Sequence, residues 1–149
     1  TIPASDTALP KTSSPAPAAA KPAEASPVTQ PAAASVNVEA TLAQGQKLQE
    51  EGKAKQAIAL YEAALAGAPS SSPLLSRVAF TQLNAGRNKE AAAYAKRAVE
   101  ADPSNSEAWI VLGAAQSSLG DRKAARQSYK SCAEQGRGEY VIECKRMLR

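Results

Sequence analysis

The sequence has no histidine, two cysteines, one phenylalanine and one tryptophan, and aromatics make up only 4% of its 149 residues. Without histidine the chain lacks the commonest general base, the Ser–His and Cys–His nucleophile pairs, and the ligand of most zinc sites. Two cysteines cannot complete a four-ligand zinc site on their own. Neither a GxxxxGK[ST] loop nor a GxSxG elbow appears. The expectation is a protein that catalyses nothing and needs no cofactor or metal. Scarce rings also argue against nucleic-acid binding by base stacking, and a net charge of +4 reads as a solvated basic surface. No apolar run approaches the ~18–20 residues that span a bilayer, and the start lacks a signal-peptide pattern. The first residue is Thr1, not Met, as in a processed chain or a piece of a longer one. Any membrane anchor is then expected outside these residues.

What is present divides into two compositions. Residues 1–37 hold seven of the ten prolines among Ala, Ser and Thr, with no aromatic residue and no hydrophobic period. Such a stretch cannot bury enough apolar surface to offset its ordering entropy, and frequent proline favours extended backbone. The reading is a disordered, semi-stiff Pro/Ala-rich linker that holds a domain away from a membrane or sister domain; "PAPAAAKP" matches a PxxP ligand only loosely. Residues 38–149 are expected to fold.

Within 38–149 a period of 34 residues emerges. It relates Gly52, Gly86 and Gly120; Ala57, Ala91 and Ala125; Ala64, Ala98 and Cys132; Gly45, Ala79 and Gly113; and Pro69 with Pro103. Small residues at fixed places with this period signal an array of helix–turn–helix units. The third unit exposes the physics. Ser106 is read as an N-cap, and Glu107 suits the helix dipole in the first turn. Trp109 and Leu112 lie at helical spacing and can line a buried face. Gly113 leaves room for a second helix, and Gly120 can take the left-handed conformation that ends a helix. Asp121 can cap "RKAARQSYKSCAE", which packs Ala125 and Tyr129 back on the first helix. Asp102-Pro103 closes the preceding unit.

These residues resemble the tetratricopeptide repeat (TPR) family. Its spaced set of large residue, Leu-Gly, Ala, Tyr/Phe, Ala and Pro is met by Trp109, Leu112-Gly113, Ala125 and Tyr129, with Cys132 in the last small slot and Arg137 in place of the proline. The second unit has Leu75, Val78-Ala79, Ala91, Ala95, Ala98 and Pro103; the first has Thr41, Gln44-Gly45, Ala57, Tyr61, Ala64 and Pro69. The resemblance implies an all-α fold. Three helix–turn–helix repeats (about 38–71, 72–105 and 106–137) form a right-handed superhelical solenoid, capped by an amphipathic helix over about 139–148. Tyr140, Val141, Cys144, Met147 and Leu148 share one face of that cap.

It further implies a non-catalytic scaffold that holds a partner peptide or helix in a concave groove lined by the first helices. The groove positions in this chain are Glu39, Leu42, Gln46 and Gln49 in the first unit; Ser76, Arg77, Phe80, Leu83 and Asn84 in the second; and Glu107, Ile110, Ala114 and Ser117 in the third. Leu42, Phe80, Leu83 and Ile110 offer an apolar floor; the alternative is that Phe80 packs inside the array or against the cap. Some TPR domains clamp a partner's C-terminal carboxylate with Lys, Asn and Arg. Here the clamp places carry Leu42 and Gln46, then Arg77, then Glu107 and Val111, which disfavours that mode. A second function class is an electrostatic binder of an anionic envelope polymer or acidic protein, using a last third in which thirty residues carry eight Lys or Arg against four acids, among them Arg122, Lys123, Arg126 and Lys130. A third, disfavoured class is a thiol-dependent enzyme or sensor.

In the repeat register Cys132 faces the next helix, and Cys144 lies on it, with Gly136 and Gly138 allowing a tight reversal between them. The favoured reading is a disulfide that suppresses fraying of the cap and implies an oxidising, periplasmic or extracytoplasmic compartment. The alternative is two buried free thiols in a cytoplasmic protein. Linker and cysteine pair together resemble the extracytoplasmic TPR parts of bacterial envelope proteins in signalling, secretion or motility. The isolated domain is expected to be monomeric, and to meet a membrane only through a region outside this chain.

Overall fold

A computed structural model describes residues 36–149; the expected linker, up to residue 35, lies outside the described residues. Seven helices follow one another: α1 (Val38–Glu50), α2 (Ala54–Gly67), α3 (Ser72–Asn84), α4 (Asn88–Ala101), α5 (Ser106–Ser118), α6 (Arg122–Gln135) and α7 (Tyr140–Arg146). None is long and apolar enough to cross a membrane among the described residues. The helix pairs α1–α2, α3–α4 and α5–α6 each join through a short turn whose glycine is left-handed, at φ 74° for Gly52, 74° for Gly86 and 87° for Gly120. Any other residue there would be strained, which is why glycine recurs at this point of the period.

The pairs stack through α2 on α3 and α4 on α5, while α1, α3, α5 and α7 contact one another in sequence. The first helices thus form one row, and α7 takes the place of a fourth. Ala57, Ala91 and Ala125, and Ala64, Ala98 and Cys132, are all buried, so the small positions of the period are where helices approach most closely. Between units the core is filled by Tyr61, Leu74, Leu75, Val78 and Val111.

The folded unit begins earlier than composition suggested. Asn37 caps α1 by accepting from the Ala40 amide at 3.0 Å, and Val36 packs on Gly67. The cap of α5 is likewise one residue earlier than expected. Asn105 accepts from the Ala108 amide at 3.1 Å, whereas Ser106 is buried and donates to the Arg137 carbonyl at 2.6 Å. Ser106 is therefore the first helical residue rather than the cap. Asp121 does cap α6, accepting from the Ala124 amide at 2.9 Å. Trp109 is only half-buried, and its ring N–H donates to the Pro103 carbonyl at 2.8 Å.

The departure from the proline pattern has a structural use. The Arg137 amide donates to the Ser104 carbonyl at 2.8 Å, a bond no proline could make. With Gly138 at φ 96°, it ties the turn before α7 to the start of α5. Cys132 and Cys144 are both fully buried and joined by a disulfide, with Cα atoms 6.0 Å apart. The cap face is narrower than predicted: Cys144 is buried and Tyr140 and Val141 half-buried, but Met147 is 51% exposed.

Candidate partner-binding groove

The row of first helices carries a small apolar cavity of about 210 Å³. Phe80 and Leu83 enter it from α3, Ile110, Val111 and Ala114 from α5, Tyr129 from α6, and Tyr140 and Met147 from the cap segment. Glu107 is the one charged residue on its wall. Helical spacing explains the α3 and α5 contributions: Phe80 and Leu83 are three apart, and Ile110 and Ala114 four apart, so each pair shares a helix face. Phe80, Leu83 and Ile110 are half-buried against the core rather than inside it.

The floor beside the cavity is polar but internally paired. Arg77 Nη1 lies 3.0 Å from Glu107 Oε1, linking α3 to α5. Ser76 donates to Glu107 Oε2 at 3.1 Å, and Asn105 donates to Ser72 at 2.9 Å. Ser76 is fully buried, so it belongs to the floor and not to the groove surface as its register suggested. Burial of the Glu107 side chain, 14% exposed, pushes its carboxyl above the ordinary value despite the opposing pull of Arg77 and the Ser76 hydroxyl. Burial also raises Tyr129 and Tyr140, so both remain neutral donors at ordinary pH.

The remaining expected groove residues stay apart from this cavity. Leu42 packs half-buried on the core. Gln46 is exposed and donates to Glu50 at 3.3 Å. Gln49 donates to the Tyr61 hydroxyl at 3.1 Å, so its amide is already used within the first unit. Glu39, Asn84 and Ser117 are exposed. The lining residues missed were Val111, Tyr129, Tyr140 and Met147. Tyr140 and Met147 could have been found by carrying the 34-residue period into the cap, where they stand at the places of Ser106 and Gly113. Large side chains at small positions have to go somewhere, and these two close one end of the cavity.

An all-α stack of helix pairs, their first helices forming one inner row, defines a helical-repeat fold. The model of the family described as tetratricopeptide repeat matches residues 29–145, and the chain belongs to that family. A heat-shock protein cognate co-chaperone, sgt12, from Aspergillus fumigatus is 33% identical over 125 residues, covering 72% of this chain. The chain spans only 37% of that relative. The first TPR of Spaghetti (RPAP3) bound to the HSP90 peptide SRMEEVD superposes with TM-score 0.69 at 23% identity, over 77% of this chain and 92% of that one. The globular C-terminal domain of Pseudomonas aeruginosa LpoP superposes with TM-score 0.60 at 25% identity, over 66% of this chain and 95% of that one.

Proposed function

We propose that this chain is a non-catalytic scaffold that holds a peptide or helical segment of another protein on its inner row of helices. The observation that carries the reading is the apolar cavity between Phe80, Ile110 and Met147. At about 210 Å³ it is smaller than the ~300–1,000 Å³ typical of small-molecule sites, and suits one large side chain of a partner. The peptide-bound RPAP3 domain, which shares the fold, supports the mode. Its acidic peptide is a poor guide to the ligand here, because Arg77 is the one cation at the clamp places and is paired with Glu107. Phe80, Leu83, Ile110 and Ala114 are the central contacts, with Arg77 and Asn84 beside them on α3 and Leu42, Gln46 and Gln49 extending them along α1.

The same reading places the domain in an oxidising, extracytoplasmic compartment, monomeric, and tethered by the residues before Val36 to an anchor or further domain of a larger bacterial protein. The Cys132–Cys144 bond supports the compartment. The likeness to a C-terminal domain of a bacterial protein fits the architecture. Thiol labelling without reductant in the source cells tests it: two labelled cysteines would refute the compartment.

The binding reading is tested by capture of partners from envelope extract on the full chain and on a Phe80→Ala/Leu83→Ala variant. Expected is loss of the captured protein with an unfolding midpoint close to that of the unaltered chain. Equal capture by both would defeat the groove. A second reading, electrostatic binding to an anionic polymer, is favoured by the exposed Lys123, Arg126 and Lys130 around a shallow depression on α6. Affinity that falls steeply with salt and survives the double substitution would select it.

A further inference from the structure

The apolar cavity has a charged neighbour. A second depression, of about 270 Å³, lies where the turn between α5 and α6 meets the end of α7. Ser117, Arg122, Ala125 and Arg126 form its wall together with Tyr129 and Met147. Tyr129 and Met147 line the apolar cavity as well, so the two hollows share a wall. On one side of it the lining is almost wholly apolar; on the other stand two guanidinium groups. No carboxylate lines the second depression. The one on the wall of the first, Glu107, is paired with Arg77 at 3.0 Å.

Arg122 and Arg126 stand four apart on α6, so they share a helix face, and both are exposed. The ion pairs among the described residues engage Lys53, Arg77, Lys96, Lys130 and Arg146 and leave these two out. Acids on the same elements are taken up elsewhere. Asp121 caps α6, Glu134 pairs with Lys130 at 3.8 Å, and Glu143 pairs with Arg146 at 3.0 Å. Like charges four apart on a helix repel each other, and an anion held between them removes that cost. The pair belongs to the third unit alone. One period earlier the same places hold Asn88 and Ala92, and two periods earlier Ala54 and Ile58. Ile58 is buried in the core, whereas Arg126 is open to solvent.

We infer that the groove selects a protein segment in which a large apolar side chain is flanked by a carboxylate. The apolar group fills the Phe80–Ile110–Met147 cavity, and the carboxylate reaches across Tyr129 and Met147 to the guanidinium groups of Arg122 and Arg126. This selectivity rests on the groove reading above and adds the charge of the partner to it. A guanidinium presents paired N–H donors that match a carboxylate, and the Ser117 hydroxyl adds a donor at the same depression. The contact is on α6, away from the clamp places of the first helices, and calls for an Asp or Glu side chain next to the anchor. A basic segment meets two unpaired guanidinium groups and is turned away, which is as much a part of specificity as the favourable contact. The partner segment is therefore an acidic amphipathic stretch.

Two tripeptides of the same shape and different charge test this on the full oxidised chain: acetyl-Asp-Trp-Asp-amide and acetyl-Asn-Trp-Asn-amide. Each is titrated while the NMR signals of Phe80, Ile110 and Met147 and the side-chain N–H signals of Arg122 and Arg126 are followed. The acidic peptide is expected to shift both sets. It should bind at least about threefold more tightly than its uncharged twin, a ratio typical of one partly exposed charge contact. Arg122→Gln/Arg126→Gln should remove the preference and leave binding of the uncharged peptide as it was. Lys123→Gln/Lys130→Gln, on the neighbouring depression of α6, should leave the preference in place. All four side chains are exposed, and unfolding curves establish that both variants remain folded. Equal binding of the two peptides, or tighter binding of the uncharged one, overturns the charge preference and leaves the groove reading standing. A preference that survives loss of both arginines, or that vanishes with the two lysines, overturns the assigned site in favour of general attraction to α6. Octanoate is the third probe: if it binds at the cavity more tightly than the acidic peptide, the paired hollows take a lipid-like amphiphile and the peptide partner is overturned. Absence of any shift at Phe80, Ile110 and Met147 with either peptide overturns the groove reading itself.

Discussion

The ring of Tyr129 fills the space that a side chain at position 113 would need: a Cβ built on Gly113 would run into the ring carbons. Gly45 and Tyr61 stand in the same relation in the first unit, while the second unit has Ala79 opposite Ala95, both fully buried. Volume is traded across each helix pair, glycine against tyrosine or alanine against alanine.

Gly113→Ala is therefore expected to destabilise the chain by about 1–3 kcal/mol, the usual cost of overpacking a core, although alanine by itself favours a helix over glycine by ~1 kcal/mol. The same change made in a Tyr129→Ala background should be neutral or stabilising, because the site then copies Ala79–Ala95. A urea-unfolding double-mutant cycle measures the coupling. Additive losses would show that ring and glycine do not compete for one space.

The helix starts give a second prediction. Asn37 and Asn105 cap α1 and α5 through their side chains, whereas Ser71, at the equivalent place of the period, makes no side-chain cap bond. Asn105 also donates to Ser72, tying α5 to α3. Asn105→Ala should cost about 1–2 kcal/mol, and Ser71→Ala a few tenths at most. Equal losses in thermal unfolding would mean that the caps are not what distinguishes these positions.

How much could be read in advance follows from the kind of signal. The three helix pairs, their glycine turns and the Cys132–Cys144 juxtaposition are periodic features, and a period of 34 is visible in one dimension. Ser76 escaped because its position on the helix faces the groove only if nothing covers it. In the fold, Glu107 of the next unit does so, a contact between residues 31 apart. Ser106 was read as the cap, but the Arg137 carbonyl engages its hydroxyl and the cap falls to Asn105, one residue earlier. Met147 and Tyr140 were assigned to a cap regarded as a lid for the core. Their second role, closing the groove cavity, depends on the cap helix standing where a fourth first helix would stand.

That double role makes the disulfide a determinant of the site as well as of stability. α7 has only seven residues, too few to hold a helix unaided, and the Cys132–Cys144 bond closes a segment of 12 residues. Removing such a link is expected to cost about 3 kcal/mol in the chain-entropy account. In Cys144→Ser, or after reduction, amide exchange should accelerate first in residues 140–146. The NMR signals of Phe80 and Ile110 should then shift as Tyr140 and Met147 leave, with amide exchange in α1–α4 unchanged. Unaltered exchange in α7 would show that packing alone holds the cap.

Glu107 gives the folded state a pH-dependent contribution whose sign is unusual for an acid. Burial raises its carboxyl above the ordinary 4.5, so between that value and the raised one the native chain keeps a proton that the unfolded chain has lost. The contribution is thus fully present below the unfolded value, and stability declines as pH rises through the raised one. Most acids in paired sites act in the opposite sense; Asp102, held below its ordinary value by the Ser104 hydroxyl and amide, is one. Glu107→Gln keeps the size and mimics the protonated form, so its unfolding free energy should lack the decline seen in the unaltered chain between pH 4 and neutrality. The two curves should lie closest at the acid end and separate upward, the variant becoming the relatively more stable. Parallel curves across that window would show that Arg77 compensates Glu107 in full.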